Sequence, residues 1–168
     1  MSNLNEQFGD IYDQYIEKIY RFVYLKVDSQ ETAEDITSKV FLKGWEAYQV
    51  GAENIKNPSA FLYQIARNSV IDYYREKGRT KVVSTEVYPQ IVQPGKDLQE
   101  KAIISADFAA VKSAIQGLKK DYQDIILLHY VDDVPVAEIA KTLNKPAGTV
   151  RVMLHRGLKD LKKIIEEA

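Results

Sequence analysis

The sequence predicts an all-α protein built as two small helical domains joined by a flexible linker. Apolar residues recur three and four positions apart through most of the 168-residue chain, and no segment alternates as a half-buried strand does. A stretch of about 20 residues, 80–100, has no sustained period and is broken by Pro89 and Pro94-Gly95; it is longer than a structureless loop inside one compact domain usually runs. Hydrophobic residues make up 45% and charged residues 28%, which suits globular domains and excludes disorder throughout. The expected division is 1–79, a linker at 80–100, and 101–168, each half close to the lower size at which one core suffices.

Phe8, Ile11, Tyr12, Tyr15, Ile19, Phe22 and Val23 place a first helix at about 6–26. Asp28-Ser29 offers a cap for a second helix reaching Tyr48, with Glu31, Glu34 and Asp35 where the helix dipole favours anions. Ile36, Val40 and Gly44 line one stripe of it; Phe41, Trp45 and Tyr48 line the next. Together they are wider than one packed helix face needs, which marks part of this surface for another protein. After a loop at 51–56, Asn57-Pro58 starts a third helix that Gly78 can end. Its inner side is Leu62, Ile65, Ala66, Ser69 and Tyr73, while Gln64, Arg67, Asn68, Ile71 and Arg75 share another face. Beyond the linker, Ile104, Phe108, Val111, Ile115 and Leu118 mark a fourth helix, and Tyr122, Ile125, Ile126 and His129 a fifth. Val136, Ile139, Ala140 and Leu143 mark a short sixth, and Val150, Leu154, Leu158, Leu161 and Ile165 a seventh.

The formal net charge is only −1, but it is unevenly spread. Residues 1–57 carry −4, 58–81 carry +3, 82–100 carry −2 and 101–168 carry +2, with +4 concentrated in 147–163. Two separate basic segments behind an acidic block point to polyanion contacts at two places. Enzyme chemistry finds no support. The two histidines, His129 and His155, stand apart, and there is no cysteine and no glycine-rich phosphate loop. No metal site, nucleophilic triad, catalytic residue or cofactor is therefore expected. His129 suits the apolar face of its helix, and Asp132-Asp133 suits a capped turn. The N-terminus shows no basic-then-apolar leader, and the longest apolar run, Ile125-Ile126-Leu127-Leu128, is far below a bilayer span. No membrane insertion and a cytoplasmic location are the expectations.

Residues 138–151 have the pattern of a helix-turn-helix. Ala140 is small where the second helix approaches, Leu143 fills the space between helices, Asn144 tolerates a left-handed turn, Pro146 suits a helix start, and Val150 packs back on Ile139 and Ala140. The last helix then exposes Arg151, His155, Arg156 and Lys159. Such a helix fits the DNA major groove, with its first turns at base edges and later cations on phosphates. The same spacing also serves an αα-hairpin with a solvated basic face.

Taken in order, Ala33-Glu34-Asp35-Ile36 with Val40-Phe41-Leu42 and Trp45, Phe61 to Asn68 with Asp72 and Arg75, Glu138-Ile139-Ala140, and Gly148-Thr149-Val150 resemble the extracytoplasmic-function (ECF) sigma factors of bacterial RNA polymerase. The resemblance spans residues 8–165. It implies a non-catalytic initiation subunit whose partners are core RNA polymerase, through its largest and second-largest subunits, promoter DNA and an anti-sigma factor, with no small-molecule substrate. Asp35, Ser38, Lys39, Phe41, Leu42 and Trp45 would dock on the polymerase clamp. Tyr63, Gln64, Arg67, Asn68, Arg75, Lys77 and Arg79 would open and read the minus-ten element with help from the loop at 49–57. Capturing unstacked bases asks for a polar or stacking pocket beside cations that hold the strand. Thr149, Arg151, Val152, His155, Arg156 and Lys159 would read the minus-thirty-five element.

Two departures stand out. Ser38-Lys39 occupies positions where the family often has Gln-Glu, and Arg151-Val152-Met153 positions where it commonly has Lys-Ser-Arg. Two other readings fit parts of the pattern: a dimeric helix-turn-helix repressor or activator, and a helical adaptor that binds only protein. Phe41 and Trp45 on an acidic helix pair weigh against the first, and the two basic faces against the second.

Overall fold

In a computed structural model that describes residues 3–79 and 109–167, each of the first three helices begins where a local side chain accepts from one of its first amides. The Asn3 carboxamide accepts from the Glu6 amide at 2.8 Å and opens α1, Leu4–Tyr24. The Ser29 hydroxyl accepts from the Thr32 amide at 3.1 Å and opens α2, Gln30–Gly51. A short 3-10 turn at Ala52–Asn54 follows, and Asn57 accepts from the Ala60 amide at 3.1 Å to open α3, Pro58–Arg79. The described part of α4 covers 109–116, and the sequence-predicted linker and the positions Ile104 and Phe108 lie outside the described residues. Then come α5 at Lys120–Ile126, α6 at Val136–Leu143 and α7 at Ala147–Glu167. Among the described residues there is no strand.

Three helices form the first group. Phe8, Ile19, Phe22 and Val23 of α1 meet Ile36, Val40, Phe41 and Tyr48 of α2 and Leu62, Ala66 and Val70 of α3. Gly44 lets α2 and α3 close up: a Cβ there would stand 3.2 Å from Leu62 Cδ2 and 3.5 Å from Phe8 Cζ. Phe8 also packs on Trp45 and Tyr48, with ring centroids 5.3 and 5.6 Å apart. Lys26 is buried, only 6% exposed, between buried Leu25 and Val27 in the α1–α2 turn.

The second group is α4 to α7. The fifth helix ends differently from its sequence expectation. It widens into a π-helical turn at Leu127–Val131, where the Asp132 amide donates to the Leu127 carbonyl at 3.0 Å and the Val134 amide to the Leu128 carbonyl at 2.8 Å. Asp133 follows with φ 56°, so the expected turn is there. His129 is half-buried and its Nδ1 donates to the Val134 carbonyl at 3.0 Å, in keeping with a packed histidine. The helix-turn-helix has the geometry its residues imply. Asn144 ends α6 in the left-handed region at φ 54°, ψ 50°, the Lys145 amide donates to the Ala140 carbonyl, and Val150, Leu154 and Gly157 carry α7 inward.

The two groups are packed face to face. α3 lies along α6, α1 touches the π-helical turn, and one apolar cluster runs from Phe22 and Tyr63 through Leu127, Leu128 and Ile139.

Candidate nucleic-acid interface

The outer face of α7 follows from its inner one. With Val150, Leu154 and Gly157 buried, the helical period turns Thr149, Arg151, Val152, His155, Arg156 and Lys159 outward together, and all six are exposed. Val152 is 49% exposed, an apolar side chain among cations that can meet a thymine methyl.

On α2 the same logic separates the sequence-predicted contacts. Asp35, Ser38, Lys39 and Leu42 are exposed on one stripe, with Leu42 at 57%. Trp45 is half-buried against Phe8. Phe41 departs from expectation. It is turned inward, with its ring 4.8 Å from that of Tyr12 in an edge contact, because it lies on the stripe that α1 covers. It sets the position of the exposed stripe rather than belonging to it.

The third helix departs further. Tyr63, expected among the minus-ten contacts, is 1% exposed; its ring packs edge-on to Phe22 and its hydroxyl donates to Asp132 Oδ2 at 2.8 Å. Gln64 Nε2 donates to the Thr142 carbonyl at 3.1 Å. Arg67 donates through Nε to Asp124 Oδ2 at 2.7 Å and through Nη2 to Asp121 Oδ1 at 3.3 Å. Asn68 stays exposed. Farther along, Arg75 stands 4.0 Å from Asp72, Lys77 is ion-paired with Asp28, and the side chain of Arg79 lies outside the described residues.

Comparison with known proteins decides what these surfaces belong to. Residues 11–80 match the Sigma-70 region 2 family and residues 108–161 match Sigma-70, region 4. The chain is 33% identical over 171 residues to the ECF RNA polymerase sigma factor SigW of Bacillus subtilis (strain 168), spanning 96% of this chain and 90% of that protein. The chain belongs to the ECF sigma factors. SigX of the same organism is 25% identical, spanning 97% of this chain and 86% of the relative. The fold is shared with a solved sigma factor, RpoE in complex with the anti-sigma factor NepR from Bartonella quintana, at a TM-score of 0.72 and 22% identity over 96% of this chain and 98% of that one. As a family member the protein is an RNA polymerase sigma factor, a regulatory subunit of transcription initiation.

In this sigma factor the charged groups between the two helix groups are those that sequence reasoning passed over. Asp124, 1% exposed, accepts from Arg67 and from the buried Lys26 at once. Asp132, also 1% exposed, accepts from Arg21 Nε at 3.1 Å and from Tyr63. It was expected only to shape a turn. Asn57 donates to Glu138 Oε2 at 2.6 Å, and Gln116 Nε2 to the Val27 carbonyl at 3.2 Å. Burial lowers the Lys26 ammonium below its ordinary range, against the opposing pull of Asp124. Burial likewise raises Asp132, outweighing the hydrogen bonds from Tyr63 and Arg21. The Tyr63 hydroxyl is raised by burial and then by the Asp132 charge. The available sequence signal is slight: Lys26 and Asp124 each interrupt an apolar stretch, Leu25–Val27 and Tyr122–Ile126.

Proposed function

We propose that this sigma factor directs initiation by dividing its work among three helices. α7 reads the minus-thirty-five element through Thr149, Arg151, Val152, His155, Arg156 and Lys159. α3 opens and reads the minus-ten element through Gln64, Arg67, Asn68, Arg75, Lys77 and Arg79, with Tyr63 holding the helix in place. The stripe Asp35, Ser38, Lys39 and Leu42, bordered by Trp45, docks on core polymerase. The functional units are 1–79 and 101–168, with 80–100 between them. The protein acts in the cytoplasm as a non-catalytic subunit, and an anti-sigma factor controls its release. No helix among the described residues is long and apolar enough to cross a membrane.

The observation that carries this reading is the alignment of six exposed side chains on the outer face of α7, four of them cationic or imidazole, within the region 4 match. A helix of that width with cations on its outer face suits the major groove. The test is reconstitution. The protein is added to core polymerase with a promoter library and run-off transcripts are sequenced. Discrete start sites sharing two upstream elements are expected; binding to duplex DNA without core, and no transcript with it, would sink the reading in favour of a repressor.

A further inference from the structure

We propose that a cleft between α1, the start of α3 and the start of α6 is a binding site for a purine nucleoside diphosphate, whose phosphates are held by Lys18, Lys56 and Lys141. The cleft has a volume of about 640 Å³, within the range of small-molecule sites. Its walls come from three places far apart in sequence: Tyr15 and Lys18 on α1, residues 56–59 at the opening of α3, and residues 133–141 leading into and along α6. Apart from the loop at 49–57, which ends in it, the cleft shares nothing with the surfaces assigned above to promoter and polymerase.

Its charges set it apart from the rest of the seam. Elsewhere between the two helix groups the cations are matched, Arg21 by Asp132 and both Lys26 and Arg67 by Asp124. Among the described residues, none of Lys18, Lys56 and Lys141 is ion-paired, although Asp133 and Glu138 line the same cleft. Glu138 instead accepts from the Asn57 carboxamide at 2.6 Å. Three ammoniums against two carboxylates leave one positive charge in excess, and the amino ends of α3 and α6 add partial charge of the same sign. Ammoniums on three separate walls suit an extended anion, since a chain of two phosphates can meet donors that one small ion could not reach together. The remaining lining suits a nucleoside. Tyr15, Val134, Pro58 and Pro135 offer a ring and apolar surface on which a base can lie. The exposed Asp133 carboxylate can accept from a ribose hydroxyl, as acidic side chains do in dinucleotide sites. Because the lysines belong to both helix groups, such a ligand is held only while the groups are packed together.

The test is calorimetric titration of the full-length protein with ADP and GDP, with inorganic pyrophosphate and adenosine alongside. Saturable binding of one nucleotide per chain is expected, with pyrophosphate about tenfold weaker and adenosine weaker still. Lys18→Gln and Lys141→Gln should each weaken nucleotide binding about tenfold, the loss of one charge-assisted hydrogen bond. Lys43→Gln, at an exposed lysine of α2 outside the cleft, should change nothing. Asp133→Asn tests the site by gain: it removes a repulsive charge and should tighten pyrophosphate, but not the nucleotide, which loses a ribose acceptor. Circular dichroism checks that each variant is folded. No saturable binding of either nucleotide overturns the site, and an equal loss in Lys43→Gln overturns it as diffuse charge attraction. Unchanged binding in Lys141→Gln would place the anion on the first helix group alone and overturn a shared cleft. Pyrophosphate binding as tight as nucleotide, or an equal gain for both in Asp133→Asn, would overturn the nucleoside assignment.

Discussion

At the residue scale, the tyrosines of the first helix group carry a pH dependence that can be read from their partners. The Tyr74 hydroxyl donates to the Lys26 carbonyl, in the turn that also presents the Lys26 ammonium to Asp124. Burial, helped by the nearby Asp28 charge and Tyr73, pushes its hydroxyl up from 10.0 to about 12. A group with a raised folded-state pKa holds its proton more tightly in the folded protein. Its contribution is complete below pH 10 and is lost as pH rises through about 12. Denaturation followed across that range should show stability falling, and Tyr74→Phe should flatten the fall while lowering stability at neutral pH. A variant with the same slope as the parent would show that Tyr74 does not act as the group described. The residue scale also explains why capping was legible and clasping was not. Ser29, Asn57 and Asn144 act on backbone three or four positions away, so their roles are written in neighbouring residues. Lys26 and Asp124 lie 98 positions apart, and Arg21 and Asp132 111 apart; no local pattern encodes such a partner.

At the element scale, α7 is the helix whose inner and outer faces were most legible, because both are set by one period. Val150 and Leu154 are inside, as the apolar stripe predicted, and the six candidate contacts are outside. The cations of such a helix act chiefly on phosphates, so their loss should register in salt dependence. For the assembled polymerase complex on promoter DNA, Arg151→Ala and Arg156→Ala should each weaken binding and reduce the salt slope by about one. Titrations at several ionic strengths check this, and an unreduced slope in both variants would remove α7 as the phosphate-contacting helix. The third helix was less legible for the opposite reason. Its inward side is shared between two partners, α1 and α2 on one flank and α6 on the other, so Tyr63 is buried at a position that a single inner stripe leaves outside. Phe41 shows the same effect on α2. The π-helical turn at Leu127–Val131 was hidden too, since an extra residue in a helix leaves no mark beyond a slight slip in period, and here it is the turn that carries Asp132 to Tyr63.

For the whole molecule, the near-zero charge resolves into an arrangement. Acidic residues of the C-terminal half neutralise cations of the first half across a shared apolar seam, while α2 and α7 keep their outer faces free. An exposed α2 stripe, beside an α3 face whose Gln64 and Arg67 are bonded to the C-terminal half, imposes an order of events on the assembly proposed for this chain. On the proposed assignment, core polymerase should meet the α2 stripe first, and separation of the halves should follow inside the encounter complex, where new contacts can offset the loss of the seam. Binding before rearrangement has a kinetic signature distinct from selection of molecules already open. With donor and acceptor labels at Gln14→Cys and Lys162→Cys, exposed positions on either half of a chain that holds no cysteine, and the protein mixed rapidly with increasing core, anisotropy should rise at a rate proportional to core concentration. The loss of energy transfer should lag behind it and reach a plateau rate independent of core, and weakening the Lys26–Asp124–Arg67 contact by Asp124→Ala with Lys26→Met should raise that plateau without changing the first phase. If separation of the halves precedes the anisotropy rise, the rate of the transfer change will be capped from the lowest core concentrations onward. The closed form would then be a storage state that core does not engage, and the exposed α2 stripe would play no part in the first encounter.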